Sequence, residues 1–438
     1  MMHSAKKTAR KRTYLDPIHQ DIILNPDRPE ERLVMDLMDT PEFQRLRRIN
    51  QLGVSYFTFQ GAEGSRFTHS VGVMHIASRL VDLLAEKTPS IKRLKPLILA
   101  TALLHDIGHG PYSHVTEQIL HYNHEEWSCK IITGDTAVAQ TLRRFSTYQG
   151  DLANDIRQVL EKEFRPAYVS HMVSSQLDCD RFDYLLRDSY MTGVAYGLFA
   201  LQRILFSLEL DLAGDRIVVA EEKGQTAVED YLFARYSMYA QVYYHKKNIA
   251  ARALLSKLIR RARQLGGKVS FMDEPTGLWL LGKPLEVKDY LKLDDVQMTY
   301  HIKRWVDDED PILSDLASRF VDRRLLKAMR LPPGSQDTMN EIAEKARSAV
   351  SAVGLDPEYY TSVETSGIQP YDYYRPEADS PQTSIMVRTE AGEIRELSEL
   401  SGAVDALVRG NFESGWLTYP AEAQQRIAQI ADLARTRQ

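Results

Sequence analysis

Cysteine is nearly absent: Cys129 and Cys179 are the two in a chain of 438 residues. Two thiols so far apart are no disulfide framework, and neither sits in a Cys-x-x-Cys pair of the kind that holds zinc or exchanges disulfides. A reducing, cytoplasmic setting is therefore expected. No apolar run approaches the ~20 residues that a bilayer-spanning helix needs, so no membrane partner is expected. Lys6, Lys7, Arg10, Lys11 and Arg12 stand near the N-terminus with no apolar stretch behind them, which does not read as a secretory signal. An excess of positive charge is missing too. The formal net charge is −5, which gives no support to nucleic acid as the main partner, though a locally basic cleft for a small anion remains open. There is no internal repeat of the sort that builds solenoids or propellers. What is present, 43% hydrophobic and 26% charged residues, is the balance of a soluble globular chain long enough for two or three domains.

Apolar residues recur at helical spacing through most of 31–265. Leu33, Leu37, Phe43, Leu46 and Ile49 mark a helical stretch over 31–51, with Thr40 as an N-cap and Pro41 in the first turn. Helices are predicted over 71–84 and 94–106, the second strongly apolar and stopped by Gly108, Gly110 and Pro111. Others are predicted over 125–133, 151–163, 174–189 and 228–265, and a hairpin strand over 216–221. Beyond 270 the pattern mixes helices (296–306, 311–328, 337–353), strands (359–364, 383–389) and a Pro-, Tyr- and Asp-rich loop over 367–381. The expected fold is mainly α. An N-terminal tail and strand/loop segment covers 1–30, a helical core 31–265, and a smaller α+β accessory region 266–438.

Seven of the twelve histidines lie between 69 and 124. His105 and Asp106 are adjacent at the end of the apolar stretch Leu97–Leu104. Burying an imidazole and a carboxylate together is costly without a partner, and a metal ion is the usual one. The plain alternative is a His–Asp pair satisfied by hydrogen bonds. His69 opens a helix three residues after Arg66, where free backbone N–H groups and a fixed cation suit a phosphate. In a helix, Asp180, Tyr184 and Asp188 share one face; the interleaved Phe182 and Leu185 argue against a merely solvated acidic face.

Several ordered series carry a resemblance. They are Arg66-Phe67-Thr68-His69-Ser70-Val71-Gly72, His105-Asp106-Ile107-Gly108-His109-Gly110-Pro111-Tyr112-Ser113-His114, and Asp178-x-Asp180-Arg181-Phe182-Asp183-Tyr184 through Asp188. With Asp39 through Arg47, Gln51-Leu52-Gly53, and Arg235 through Lys246, they resemble the HD-domain deoxynucleoside triphosphate triphosphohydrolases over about residues 14–265. The resemblance implies an HD-domain helical core in which His69, His105, Asp106 and Asp180 hold a divalent metal (Fe, Mn, Zn or Mg), the motif register favouring Asp180 over Asp178. It implies His109, His114 and His124 as the histidines beside the metal, with Glu125 as the carboxylate near His124. Arg66, Arg181, Tyr184 and Arg235 would contact the triphosphate; Gln51, Leu52, Asp188 and Tyr243 would surround the deoxyribose. Asp39, Gln44, Arg47, His245 and Lys246 match regulatory positions that hold activating nucleotides in homo-oligomers, dimers or tetramers. The implied reaction converts a dNTP and water to a deoxynucleoside and triphosphate, with His114 or His124 protonating the leaving 5′-oxygen. Two departures stand out: the segment between His19 and Asp39 is longer, and Arg181 replaces a frequent Lys. Other readings are an HD-type nucleotidase or phosphodiesterase for a different nucleotide, and a nucleic-acid-binding regulatory protein.

Overall fold

The computed structural model describes residues 10–145, 147–331, 336–367, 384–410 and 413–435. Lys6, Lys7 and the loop expected over 367–381, apart from Gly367, lie outside the described residues. The fold is mainly α, with three small sheets among the described residues.

The N-terminal segment forms a hairpin, Arg12–Asp16 paired antiparallel with Gln20–Leu24. Ile22 and Leu24 face the core while Leu15 and Ile23 face out, the period-two alternation of a half-buried strand. The helical stretch expected over 31–51 is three pieces: Pro29–Met38, Pro41–Arg45 and a 3-10 turn, Leu46–Arg48. The break falls at Thr40-Pro41 because proline drives the preceding residue into extended backbone. Thr40 is extended, and its hydroxyl caps the next helix through the Phe43 N–H.

The Arg66–Lys87 and Lys95–Leu104 helices pack against each other at the centre. The second is buried on every side, which fits its unbroken apolar sequence. Cys179–Thr192 crosses the first. It starts later than periodicity suggests because the Asp178 side chain caps it, accepting from the Arg181 N–H at 2.6 Å. It stops at Gly193, whose φ of +74° suits a residue without a side chain. Gly72 allows the close crossing: a Cβ there would strike the Asp183 carboxylate and the Arg187 guanidinium. The long helix expected over 228–265 is also divided. Glu221–Met238 runs into a π-helical turn, Tyr239–Tyr243, and Lys246–Leu265 restarts with His245 as its N-cap.

The C-terminal part is α+β. One sheet orders the strands Leu208–Asp211, Arg216–Ala220, Met386–Arg388 and Ile394–Glu396; the second and third of these pair in parallel. Another sheet places Glu413–Tyr419 between Lys327–Arg330 and Ser362–Gly367. The helix expected over 311–328 ends at Val321, and 327–330 is strand. Apolar side chains form two clusters. One surrounds the two central helices and takes in Val387, Leu397 and Val404. The other surrounds Leu254, Leu258, Trp305, Phe320 and Leu417. The second is anchored to the turn after His105: Tyr290 donates its hydroxyl to the Gly108 carbonyl at 2.6 Å and stacks on Trp127.

Candidate metal centre and nucleotide cleft

His69 lies in the first turn of its helix and is wholly buried. Its Nδ1 stands 2.8 Å from an Asp183 carboxylate oxygen. That contact turns Nε2 towards Asp180 Oδ1 at 3.0 Å and Asp106 Oδ2 at 3.6 Å. His105 closes the apolar helix, with Nδ1 2.8 Å from the Ala102 carbonyl. Its Nε2 is then 3.4 Å from Asp106 Oδ1 and 3.6 Å from Asp180 Oδ1. Neither Nε2 atom has a hydrogen-bond partner although both are buried. Ligands about 2.1 Å from a shared ion at roughly right-angled to tetrahedral spacing stand about 3.0–3.4 Å apart. Two unpartnered imidazole nitrogens and two carboxylates at that spacing fit a divalent cation. Asp178 does not compete for this place. Its carboxylate accepts from the backbone N–H groups of Ser175 and Arg181 and pairs with the Arg181 guanidinium.

The centre is held by a second set of charges. Asp183 takes His69, His19 Nε2 at 2.7 Å and the Arg187 guanidinium at 2.7 and 2.9 Å. Arg187 reaches on to Asp16 at 2.8 Å, so the N-terminal hairpin is tied through Asp183 to His69. Burial pushes the Asp183 carboxyl up, but Arg187 and the two histidines outweigh it and hold it well below its ordinary value. Asp180 is likewise lowered, because His105 and His69 overcome the cost of burial.

A second cluster adjoins the first. His109 Nε2 is 3.3 Å from Asp106, and its ring stacks on His124 at 3.9 Å between centroids. His114 meets both rings edge-on. Glu117 joins His114 and His124: its two oxygens stand 3.0 and 2.9 Å from their Nδ1 atoms. Burial raises its carboxyl, yet these hydrogen bonds hold it well below the usual range. Glu125 does not orient His124. It is exposed in the first turn of the His124–Thr133 helix, where its backbone N–H donates to Asn123. The carboxylate on His124 is Glu117, which sits one turn after His114; that i, i+3 spacing is the signal the sequence offered.

The centre opens into a cleft of about 530 Å3. Gln51, Leu52, Arg66, Tyr184, Asp188 and Tyr243 all line it, together with Asp106, His109, His114, His124 and Asp180. Tyr239, Tyr244, Gln118 and Arg252 line it as well, and sequence reasoning did not single them out. Arg66 donates to Ser113 at 2.9 Å and pairs with Asp106. The Tyr243 hydroxyl donates to Asp188 at 2.8 Å. Burial pushes the Asp188 carboxyl up to about 7 despite that bond. Arg181 and Arg235 are not on the cleft wall. Arg181 is engaged by Asp178 and the Ser175 carbonyl, and Arg235 donates to Gln176 at 2.8 Å. The remaining candidates lie apart from the cleft. Asp39 pairs with Arg12, Gln44 donates to the Met38 carbonyl, and Arg47 donates to Gln44 and covers the Phe67 ring at 3.5 Å. His245 caps its helix beside Phe59, and Lys246 is exposed.

The HD domain family matches residues 66–188, and the HD associated region matches 201–433. The chain belongs to the HD-domain phosphohydrolase family. The HD match begins at Arg66 and ends at Asp188, so it encloses both histidine clusters and Asp180. The uncharacterized protein YwfO of Bacillus subtilis is 39% identical over 447 residues, covering 99% of this HD protein and all of that one. The deoxynucleoside triphosphate triphosphohydrolase SAMHD1 homolog of Dictyostelium discoideum is 31% identical over 251 residues, 53% of this chain; the match spans under half (46%) of that relative's length. A solved phosphohydrolase from Bacteroides thetaiotaomicron superposes with a TM-score of 0.79 at 28% identity, over 94% of this chain and 100% of that one. The HD protein is thus a phosphohydrolase with a His/Asp group suited to a divalent metal. Among its described residues no helix is long and apolar enough to cross a membrane.

Proposed function

We propose that the chain hydrolyses deoxynucleoside triphosphates to deoxynucleoside and inorganic triphosphate. The observation that carries this reading is the pairing of Tyr243 with the buried Asp188 in the cleft that also holds Asp180, His114 and His124. A carboxylate at that place accepts the sugar 3′-hydroxyl alongside Gln51, and the Tyr243 ring leaves little room for a 2′-hydroxyl. Such a site discriminates strongly, because the wrong sugar leaves a buried polar group unpaired or overlaps the ring. The triphosphohydrolase activity for which the Dictyostelium relative is named points the same way.

His69, His105, Asp106 and Asp180 would hold the metal, Fe, Mn, Zn or Mg. When bound, it supplies a Lewis acid for the α-phosphate and an acidified water. Arg66 neutralises phosphate charge next to Asp106, and Tyr184 contacts the chain. Arg181 and Arg235 take part by exchanging Asp178 and Gln176 for phosphate oxygens. As the bond from the α-phosphorus to O5′ breaks, His124 or His114 gives O5′ its proton. Glu117, bound at the Nδ1 side of each ring, fixes Nε2 as the atom facing the cleft. The oligomer and nucleotide-activator reading belongs to Asp39, Gln44, Arg47, His245 and Lys246; the exposure of Asp39, Arg47 and Lys246 supports it.

The test incubates metal-loaded protein with each dNTP singly and in pairs and measures triphosphate. Release from single dNTPs is expected, or from pairs only where an activator is required. An Asp106→Ala variant should lose bound metal and turnover together. Release of orthophosphate from other nucleotides, with every dNTP untouched, would replace this reading by the nucleotidase one.

A further inference from the structure

The N-terminal hairpin is small, and its turn carries the polar contacts that seat it. Each strand has five residues, and a two-stranded hairpin alone is marginal in water. Leu15 and Ile23 are exposed, while Ile22 and Leu24 are buried. Gln20 closes the turn at a φ of +60°, a left-handed backbone that a residue with a side chain adopts at a cost. Asp16 shapes the turn. One of its carboxylate oxygens accepts from the Ile18 and His19 N–H groups at 2.9 and 3.0 Å, and the other takes Arg187 at 2.8 Å. The turn thereby carries the His19 ring, almost wholly buried, down to Asp183. The Asp183 carboxylate is itself buried and can only accept. Its Oδ1 is met by His19 Nε2 at 2.7 Å and by Arg187 at 2.9 Å. Its Oδ2 is met by His69 Nδ1 at 2.8 Å and by Arg187 Nε at 2.7 Å. His19 comes from the hairpin and His69 from the candidate centre, so one rigid, saturated carboxylate spans the two. Turning it to suit water at Oδ1 would pull Oδ2 away from His69. While Nδ1 donates to Asp183, His69 presents a bare Nε2, the form a cation binds.

We propose that seating of the N-terminal hairpin and binding of the divalent cation are linked through His19 and Asp183, each strengthening the other. An unseated hairpin leaves Asp183 Oδ1 to water and frees the His69 ring to turn. Losing an outer hydrogen-bond partner of a metal-bound histidine weakens metal binding ~10- to 100-fold. Coupling of this kind is reciprocal, so an occupied centre holds the hairpin closed by the same factor. The centre opens to solvent through the cleft and not through the hairpin, so the hairpin acts on affinity rather than on access. His19 and Asp183 are positioning residues on this account. The inference rests on the metal reading of His69, His105, Asp106 and Asp180, and on no particular substrate.

Two measurements on the full chain, stripped of metal and titrated with Mn2+, test it. Electron paramagnetic resonance of free Mn2+ gives the dissociation constant without any turnover. His19→Ala should weaken binding by about tenfold or more, whereas His19→Gln, whose side-chain N–H takes the place of Nε2–H, should stay within about threefold of native. Hydrogen exchange of the native chain needs no substitution. Saturating Mn2+ should slow the amides of 12–16 and 20–24 by about tenfold, and His19→Ala should remove most of that slowing. Native affinity in His19→Ala, or equal losses in His19→Ala and His19→Gln, overturns the linkage. So does hairpin exchange that ignores Mn2+, or slowing shared equally by the Lys246–Leu265 helix, which would be stabilisation of the whole chain. In each of these cases, Mn2+ binding that is lost in Asp106→Ala leaves the metal centre standing. A native chain that binds no Mn2+ overturns the centre and the linkage together.

Discussion

Among the described residues, Glu117 is the carboxylate set against two members of the histidine cluster beside the candidate metal centre. It binds His114 and His124 through different oxygens and also accepts the His124 backbone N–H at 3.0 Å. Its lowered carboxyl keeps it charged across the working range. Glu117→Gln keeps the shape but loses the charge that favours an imidazolium, so kcat should fall ~10- to 100-fold, within the usual range for general acid catalysis. Its pH profile should shift to lower pH, while KM changes little. Glu125→Gln should stay within about twofold of native, as expected for an exposed side chain away from the chemistry. Equal losses in the two variants would remove Glu117 from its positioning role. Asp188 gives a second prediction. Its carboxyl is raised to about 7 by burial, so it gains a proton as the pH falls through that value. A protonated Asp188 cannot accept from both Tyr243 and a 3′-hydroxyl through charged oxygens. KM should therefore rise as pH drops from 8 to 6, and Asp188→Asn should abolish that dependence with KM about tenfold higher, near 1.4 kcal/mol. A pH-independent KM in the native chain would count against the sugar contact.

The elements show why part of this site was legible in sequence and part was not. His105 and Asp106 announce themselves because the helix before them is apolar on every side. Asp180 could be separated from Asp178 only by motif register; in the structure the separation is physical, since Asp178 is consumed as an N-cap. Chain adjacency misled at Glu125, because neighbouring residues on a helix point about 100° apart, while Glu117 arrives from another helix. Periodicity also ran through the Tyr239–Tyr243 π turn, decided by one local conformation, whereas the Thr40 cap and Pro41 were readable as a helix start. Tyr243 and Tyr244 owe their placement in the cleft to that turn. Asp295, at the start of the Asp295–Trp305 helix, was not legible at all. It accepts backbone N–H groups from Asn50 and Tyr112, at 2.8 and 2.7 Å, and so fixes the loops carrying Gln51 and Ser113. Asp295→Ala leaves two buried donors unpaired and should cost about 2–4 kcal/mol. Burial raises its carboxyl to about 7. The folded state therefore holds a proton that the unfolded state releases near 4, and the native chain's stability from this group is lost as pH rises through about 7. Thermal melts of native and Asp295→Ala protein across pH 5–8 check both points: the gap between them should narrow as pH rises. A gap independent of pH would contradict the assignment.

For the whole molecule, the cleft draws on both apolar clusters: Tyr184 and Tyr243 pack against one, Tyr112 and Val115 belong with the other. The accessory region is thus part of the site's construction, through Tyr290 and Asp295. A single sequence could not show this, because these contacts join residues more than 180 positions apart. The chain is acidic as a whole, yet Arg66 and Arg252 place guanidinium groups on the wall of the cleft. The central claim is that water attacks the α-phosphorus and expels the 5′-oxygen. Its most direct test is turnover of a dNTP by metal-loaded protein in 18O-labelled water, followed by mass spectrometry of the products. The account predicts unlabelled deoxynucleoside and triphosphate bearing one 18O atom. Formation of a deoxynucleoside mono- or diphosphate, or label in the deoxynucleoside, would contradict it.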